Sequence, residues 1–323
     1  MRILSFLFLL LALGPLGAQD LATRMAAVPI DASLGRVGVG VLDMQTGTTW
    51  YHSGEEAFPM QSVFKLPLAI AVLKQVDKGE LSLDQKVTIT PADFAPSWSP
   101  LRDEFQGESA EYTLRDLIKS SMALSDNTAA DVLLRVIGGP TAVTESLAIP
   151  GLRIDRSERE LQPESVGLGK FLPEYTNRDT FQKAIDDLSP EAKKAAAATY
   201  LADPRDTSTP QAMVQLLRDL SSGNLLSQDS TDFLLQIMKE TYTGANRLRA
   251  GLPGTDWALA HKTGTGYEIE GIALAANDAG IALGPNGRAA IIVVFVAGAT
   301  ADEATRDRLM ADLTKAALAG PSL

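Results

Sequence analysis

Strand-like segments occur only near the two ends of this chain, and that distribution is the strongest constraint on its fold. Near the start, apolar and small residues alternate over residues 36–42, and a turn-prone stretch separates them from residues 48–51, which together predict a β-hairpin. Strand character returns in residues 257–264, 271–276 and 289–296. We therefore expect the strands of both ends to build one sheet.

The residues between these strands have the spacing of helices. Apolar residues recur three and four positions apart in residues 62–76, 114–124 and 127–137, and a closing helix is predicted over residues 302–318. The middle of the chain is thus expected to form a helical lobe, with a catalytic cleft between it and the sheet. The predicted boundaries are 19–53 plus 205–323 for the α/β lobe and 54–204 for the all-α lobe.

Composition excludes several kinds of active site. The chain has 323 residues, which at roughly 150 residues per domain suggests two domains or one large composite domain. It has no cysteine and only two histidines, His52 and His261, so a thiolate nucleophile is excluded, and a zinc site or a Ser-His-Asp triad is disfavoured. We expect no metal and no cofactor. The formal charge of −11 disfavours nucleic acid, so the expected partner is a small molecule or a cell-wall fragment.

The first residues have the pattern of a secretory signal. A basic start at Arg2 precedes an apolar run over residues 3–13 and the small residues Gly17 and Ala18. The run is well short of the roughly 20 apolar residues that span a bilayer as a helix. We predict that residues 1–18 are removed, leaving a periplasmic or secreted monomer without a membrane span.

Ser62 and Lys65 are one helical turn apart at the start of the first predicted helix. That spacing places the hydroxyl and the amine on one face, and a serine hydroxyl becomes a nucleophile when a neighbouring base takes its proton. A helix start at Ser62 also directs free backbone N–H groups toward an anion. The structural alternative is an N-capping serine followed by a surface lysine.

Two further polar motifs follow along the chain. Ser125-Asp126-Asn127 lies between two predicted helices, where its side chains either cap the next helix or face a cleft. Lys262-Thr263-Gly264-Thr265 ends a predicted strand. It either binds a substrate carboxylate, with the Thr265 N–H as an oxyanion donor, or is an edge strand that its lysine protects from unwanted pairing.

In this order, the three motifs resemble those of the class A serine β-lactamases and the penicillin-binding proteins. The resemblance extends from Val37 to the closing helix, apart from an inserted region at residues 163–202. It implies an α/β sandwich plus an all-α lobe, with a mostly antiparallel sheet flanked by helices. It also implies hydrolysis of β-lactam substrates through an acyl-enzyme on Ser62. Additional stretches resemble the extended-spectrum branch of class A: residues 58–61, 98–100, 137–140 and 277–278, and His261 before Lys262.

Residues 153–162 resemble the omega loop of class A, and this resemblance implies that Glu158 is the base that directs water at the acyl-enzyme. Gln162 stands where an asparagine more often helps to hold that water, and it carries the same amide one methylene farther out. A charged surface turn is the alternative for this stretch, because carboxylates are usually solvated.

The omega-loop resemblance resumes at residues 205–210, where Asp206 matches the partner of Arg156 in an ion pair across the neck of the loop. Residues 163–202, which we call the 163–202 segment, therefore look like an insertion that enlarges the loop. Helices are predicted in it over residues 180–188 and 190–200, the second with Ser189 as its N-cap and Pro190 at its first position. We expect a helical hairpin that projects from the neck.

The resemblance also implies the remaining roles. Ser125 would pass a proton to the departing nitrogen, and Asn127 would bind the amide of the substrate's side chain. Arg247 would add charge near the substrate carboxylate, unless it is a solvated helix-end arginine, and Trp98 would form a wall of the entrance, unless it packs in the core. The carboxylate itself is assigned to residues of the last motif: Lys262, Thr263 and Thr265.

Some alternatives stay open at this point. The acylation base is either Lys65 or Glu158 acting through a water molecule. A D-alanyl-D-alanine carboxypeptidase or another penicillin-binding relative would share the three motifs, but it has no need of Glu158. A catalytically silent homologue that binds cell-wall fragments would not need Ser62 and Lys65 together.

Overall fold

A computed structural model describes residues 20–319 of the chain. At its centre is a five-stranded antiparallel sheet in the order β2-β1-β11-β10-β7, accompanied by short two-stranded ribbons. The strands are β1 Arg36–Asp43, β2 Thr49–His52, β3 Phe58–Pro59, β4 Lys86–Ile89, β5 Ala110–Thr113, β6 Thr207–Ser208, β7 Ala258–Thr265, β8 Glu268–Ile269, β9 Ile272–Ala273, β10 Ala276–Leu283 and β11 Ala289–Ala297.

Helices cover both faces of this sheet and fill the middle of the chain. In the described residues the α-helices are α1 Leu21–Ala26, α2 Lys65–Asp77, α3 Pro100–Asp103, α4 Leu114–Ala123, α5 Asn127–Ile137, α6 Pro140–Leu147, α7 Glu158–Ser165, α8 Arg178–Asp186, α9 Pro190–Ala202, α10 Pro210–Ser221, α11 Gln228–Lys239 and α12 Glu303–Leu318. None of them is long and apolar enough to cross a membrane. The predicted signal, residues 1–18, lies outside the described residues.

Strand β1 explains how the sheet separates two hydrophobic cores. Its valines, with Val39 and Val41 fully buried, pack in one core with the apolar face of α12. The glycines that alternate with them face the other core, where a Cβ on Gly38 would lie 2.4 Å from the ring of Phe58. Because strand side chains alternate between faces, the valines fill the core on one face of the sheet. On the other face the glycines leave room for close packing, as with the Phe58 ring.

Most of the predicted elements are confirmed. The hairpin is β1–β2, helix α5 has the predicted bounds, and the sheet flanked by helices has the predicted class. The strand predicted over residues 271–276 is confirmed only as the two-residue strand β9, and the sheet strand β10 begins at Ala276 and runs to Leu283. Its polar residues Asn277 and Asp278, both fully buried and hydrogen-bonded, interrupt the apolar pattern that sequence reasoning relies on.

The 163–202 segment contains the two predicted helices, α8 and α9, with Ser189 capping α9 through a hydrogen bond from the Ala192 N–H. The expectation that they project from the neck is wrong. Their apolar faces pack in a third hydrophobic cluster with Ile269 and Leu274, which follow β7. The apolar residues of such helices are stable only where they are covered, and here α7 and the β8–β9 ribbon cover them.

Candidate active site

The Ser62 hydroxyl and the Lys65 amine meet at the start of the central helix. Ser62 lies in a 3₁₀ turn, Gln61–Phe64, that leads directly into α2, so the α-helix begins at Lys65 and not at Ser62 as predicted. The Lys65 Nζ donates a hydrogen bond to Ser62 Oγ at 3.1 Å. Lys65 is fully buried, which makes the reading of a surface lysine wrong.

The other neighbours of Lys65 bring two predicted motifs to the same point. Its Nζ also donates to the Ser125 carbonyl at 2.8 Å and to Asn127 Oδ1 at 2.6 Å. Glu158 Oε1 lies 3.0 Å from the same nitrogen, and both side chains are fully buried. Glu158 Oε1 lies at ion-pair distance from Lys65 but accepts no well-aligned hydrogen bond from the described residues.

One residue of the Ser125-Asp126-Asn127 motif caps the next helix, and the other two face the cleft. Asp126 is structural: its buried carboxylate caps α5 by accepting from the Ala129 N–H at 2.8 Å and holds the Leu101 N–H at 2.6 Å. Ser125 has a left-handed φ of 59°, and both it and Asn127 line the cleft. Both predicted roles, capping and lining the cleft, therefore occur in adjacent residues of this motif.

Strand β7 carries the last motif along the opposite side of the cleft. The Lys262 Nζ donates to Ser125 Oγ at 3.0 Å, and burial together with the positive charge of Lys65 holds the pKa of Lys262 well below its usual range. A Cβ on Gly264 would lie 2.3 Å from the Met60 carbonyl oxygen, so only glycine lets β7 run this close to the nucleophile turn. β7 is an edge strand of the sheet, but its lysine is fully buried and faces the site.

Arg247 is buried and fixed, so the reading of a solvated arginine is wrong. Its Nε lies 3.0 Å from Asp307 Oδ1, and its Nη1 donates to the Asn277 carbonyl at 3.0 Å. Its Nη2 donates to Thr265 Oγ1 at 2.9 Å. The guanidinium therefore lies beside β7 at the position where the resemblance assigns the substrate carboxylate, with Thr263 also lining that wall.

Glu158 is held from three directions. Gln162 Nε2 donates to its Oε2 at 2.6 Å, and Lys65 faces its Oε1. Asp131 accepts from the backbone N–H groups of Glu158 and Arg159 at 2.6 and 3.0 Å, which caps α7. Burial and the charge of Glu158 raise the pKa of Asp131 to about 7. The Arg156 Nε closes the loop neck at 2.5 Å from Asp206 Oδ2.

Sequence reasoning missed Asp131, whose only signal is its place one turn after Asn127 in α5. The cleft has a volume of about 490 Å³. Trp98 lines it with 42% of its surface exposed, which places it in the wall and not in the core. The cleft-lining residues that the predicted site did not include are Ser97, Tyr242, Thr243, Gly244, Gly266, Tyr267 and Glu303. Among residues 20–319, no cluster of three or more His, Cys, Asp or Glu side chains could hold a metal ion.

Several known proteins that are similar to this chain in sequence and in fold are β-lactamases. VEB-1, a β-lactamase of Pseudomonas aeruginosa, is 35% identical over 289 residues, covering 88% of this chain and 85% of that protein. The crystal structure of TLA-3 extended-spectrum β-lactamase superposes with a TM-score of 0.75 at 30% identity, covering 93% of this chain and 98% of that one. An ancestral class A β-lactamase gives 0.72 at 32% identity, with coverages of 93% and 99%.

The match extends over the whole described part of the chain. A model of the beta-lactamase enzyme family aligns with residues 20–320, which include all three motifs and the residues that surround Ser62. The chain therefore belongs to the beta-lactamase enzyme family, among its class A serine enzymes.

Proposed function

We propose that Ser62, Lys65, Ser125 and Glu158 carry out the β-lactam hydrolysis of this family in two steps, acylation of Ser62 and hydrolysis of the resulting ester. The observation that carries the proposal is the continuous contact from Ser62 Oγ through Lys65 Nζ to Glu158 Oε1, at 3.1 and 3.0 Å. A nucleophile in contact with its base, and the base with a third group, is the geometry of an activated serine.

In the acylation step, Ser62 attacks the lactam carbonyl while Lys65, acting as the free amine, takes the Ser62 proton across the 3.1 Å contact. The backbone N–H groups of Ser62 and Thr265 stabilise the oxyanion, and donors of this kind contribute roughly 3 kcal/mol each. Ser125 then gives its proton to the departing nitrogen. Lys262 supports that transfer because its ammonium is hydrogen-bonded to Ser125 Oγ, and its lowered pKa makes its own proton easier to give up.

Substrate binding uses the wall opposite Glu158. Lys262, Thr263 and Thr265 hold the substrate carboxylate, and Arg247 adds charge and fixes the Thr265 hydroxyl. On the other side of the cleft, Asn127 binds the amide of the substrate's side chain. Trp98 forms the outer wall next to it.

Deacylation depends on Glu158. Its Oε1 lies 3.0 Å from Lys65 Nζ and accepts no other hydrogen bond from the described residues, so a lone pair is available to the proton of an attacking water. Gln162 fixes the other oxygen at 2.6 Å, so this longer amide orients the carboxylate itself. A penicillin-binding relative has no need of such a base, and for that reason we favour the hydrolase over the carboxypeptidase.

The site of action follows from the N-terminal pattern. The basic, apolar and small-residue order of residues 1–18 supports export, with hydrolysis in the periplasm or outside the cell.

The test is nitrocefin hydrolysis by the wild type and by Glu158→Ala, combined with mass spectrometry of the intact protein. We expect rapid turnover by the wild type and accumulation of an acyl-enzyme in the variant. Glu145→Ala is the control, since Glu145 is an exposed helical glutamate away from the cleft. A wild type that is acylated but barely turns over would assign the protein to the penicillin-binding group. A wild type that is never acylated would favour the silent homologue.

A further inference from the structure

The 163–202 segment reaches the nucleophile turn through one buried hydrogen bond. Tyr200, in the last turn of α9, accepts a hydrogen bond from the side-chain Nε2 of Gln61 at 2.5 Å. Both residues are buried, with 5% and 2% of their surfaces exposed. Gln61 immediately precedes Ser62, so a residue 139 positions away in sequence touches the neighbour of the nucleophile.

The backbone at Gln61 is in a conformation that needs support. Its φ is 46°, in the left-handed region that non-glycine residues rarely adopt. Such a conformation persists only where surrounding contacts determine it. The peptide that joins Gln61 to Ser62 carries the Ser62 N–H, which is one of the two proposed oxyanion donors. Whatever fixes the backbone of Gln61 therefore also fixes the direction of that donor.

The side-chain amide of Gln61 lies between the end of β7 and α9, so contacts on both sides can hold its backbone in place. A Cβ on Gly266 would lie 3.5 Å from Gln61 Nε2, so the amide passes beside the end of β7, next to the second proposed donor at Thr265. On its far side, Tyr200 is fixed in the cluster that includes Leu161 of α7 and Ile269. Three parts of the site thus converge on one side-chain amide: the nucleophile turn, the end of β7 and α9.

We propose that Tyr200 is a positioning residue for acylation, which holds Gln61 in its left-handed conformation and thereby aligns the Ser62 N–H with the oxyanion. The inference rests on the proposed function, because it assigns a task within the acylation step. It also gives the 163–202 segment a role in the active site, since its last helix supplies the hydroxyl.

The test compares Tyr200→Phe with the wild type in single-turnover nitrocefin reactions under enzyme excess, which separate substrate binding from the acylation rate constant. Removing the hydroxyl leaves the ring and its packing in place. We expect the acylation rate constant to fall about five- to tenfold, as for the loss of one neutral hydrogen bond. Substrate binding should remain within twofold, because an oxyanion donor acts in the transition state.

Two variants separate positioning from general loosening of the fold. Tyr175→Phe removes a hydroxyl from the same segment and the same cluster without touching Gln61, and it should leave acylation unchanged. In a Gln61→Met background, Tyr200→Phe should cause no further loss, because its effect passes through the Gln61 amide. Both Phe variants should melt within about 3 °C of the wild type.

The outcomes are distinct. Acylation at the wild-type rate in Tyr200→Phe, an equal loss in Tyr175→Phe, or an undiminished loss in the Gln61→Met background would each overturn the positioning role while the wild type still hydrolyses nitrocefin. A wild type that is not acylated would overturn the proposed function, and this inference with it.

Discussion

Gln162 is the departure from the common omega-loop pattern, and its replacement gives the sharpest prediction. Gln162→Met keeps the length of the side chain but removes the amide that donates to Glu158 Oε2 at 2.6 Å. A hydrogen bond to a charged group contributes about 1.5–3 kcal/mol, which corresponds to a factor of about 10–150 in a rate. The contact between Lys65 and Ser62 does not involve Gln162. We therefore expect deacylation to slow by about 10- to 100-fold and acylation to change less than threefold.

Rapid-quench kinetics with nitrocefin, followed by mass spectrometry, would measure both steps. The variant should show a burst of one product per enzyme and then a slow phase with the acyl-enzyme accumulated. Gln182→Met is the matched control, because Gln182 makes the same glutamine-to-carboxylate contact, to Asp186 at 2.9 Å, on an exposed face of α8. Equal slowing of both steps, or no accumulation of acyl-enzyme, would contradict a role of Gln162 in orienting Glu158.

Two further predictions concern charge around the site. The pKa of Asp131 is raised to about 7, above the roughly 3.9 of an unfolded chain, so its contribution to stability is present at low pH and is lost as the pH rises from about 4 to 7. Between pH 5 and pH 8, the free energy of unfolding of the wild type, measured in urea, should therefore fall by on the order of 2 kcal/mol relative to that of Asp131→Asn, which does not titrate. The same pH dependence in both proteins would contradict the raised pKa. Arg247→Lys should raise KM for nitrocefin about tenfold with a smaller change in kcat, because one ammonium cannot contact Asp307 and Thr265 with the planar geometry of a guanidinium. Arg308→Lys, on an exposed part of α12, is the control, and a fall in kcat alone would contradict a binding role.

Local patterns account for the parts of the fold and site that the sequence could predict. The alternation of valine and glycine in β1 and the spacing of apolar residues in α5 are properties of neighbouring residues, and they gave the correct elements. Ser62 and Lys65, one turn apart, share a face for the same local reason. The prediction failed to locate strand β10, which shows the limit of local patterns. Asn277 and Asp278 break the apolar pattern of this strand, and their hydrogen-bond partners are distant in sequence.

The motifs, their order and the family they resemble can be recognised from the sequence, because the residues that do chemistry occur in short groups. The burial of Lys65 and Lys262, the capping of a helix by Asp126 while its neighbours face the cleft, and the contact of Asp131 with α7 all depend on tertiary packing. Tertiary contacts likewise bring the 163–202 segment against α7 and the β8–β9 ribbon and into contact with Gln61. Burial, pKa and hydrogen-bond partners depend on residues that are far apart in the chain, and packing alone brings them together.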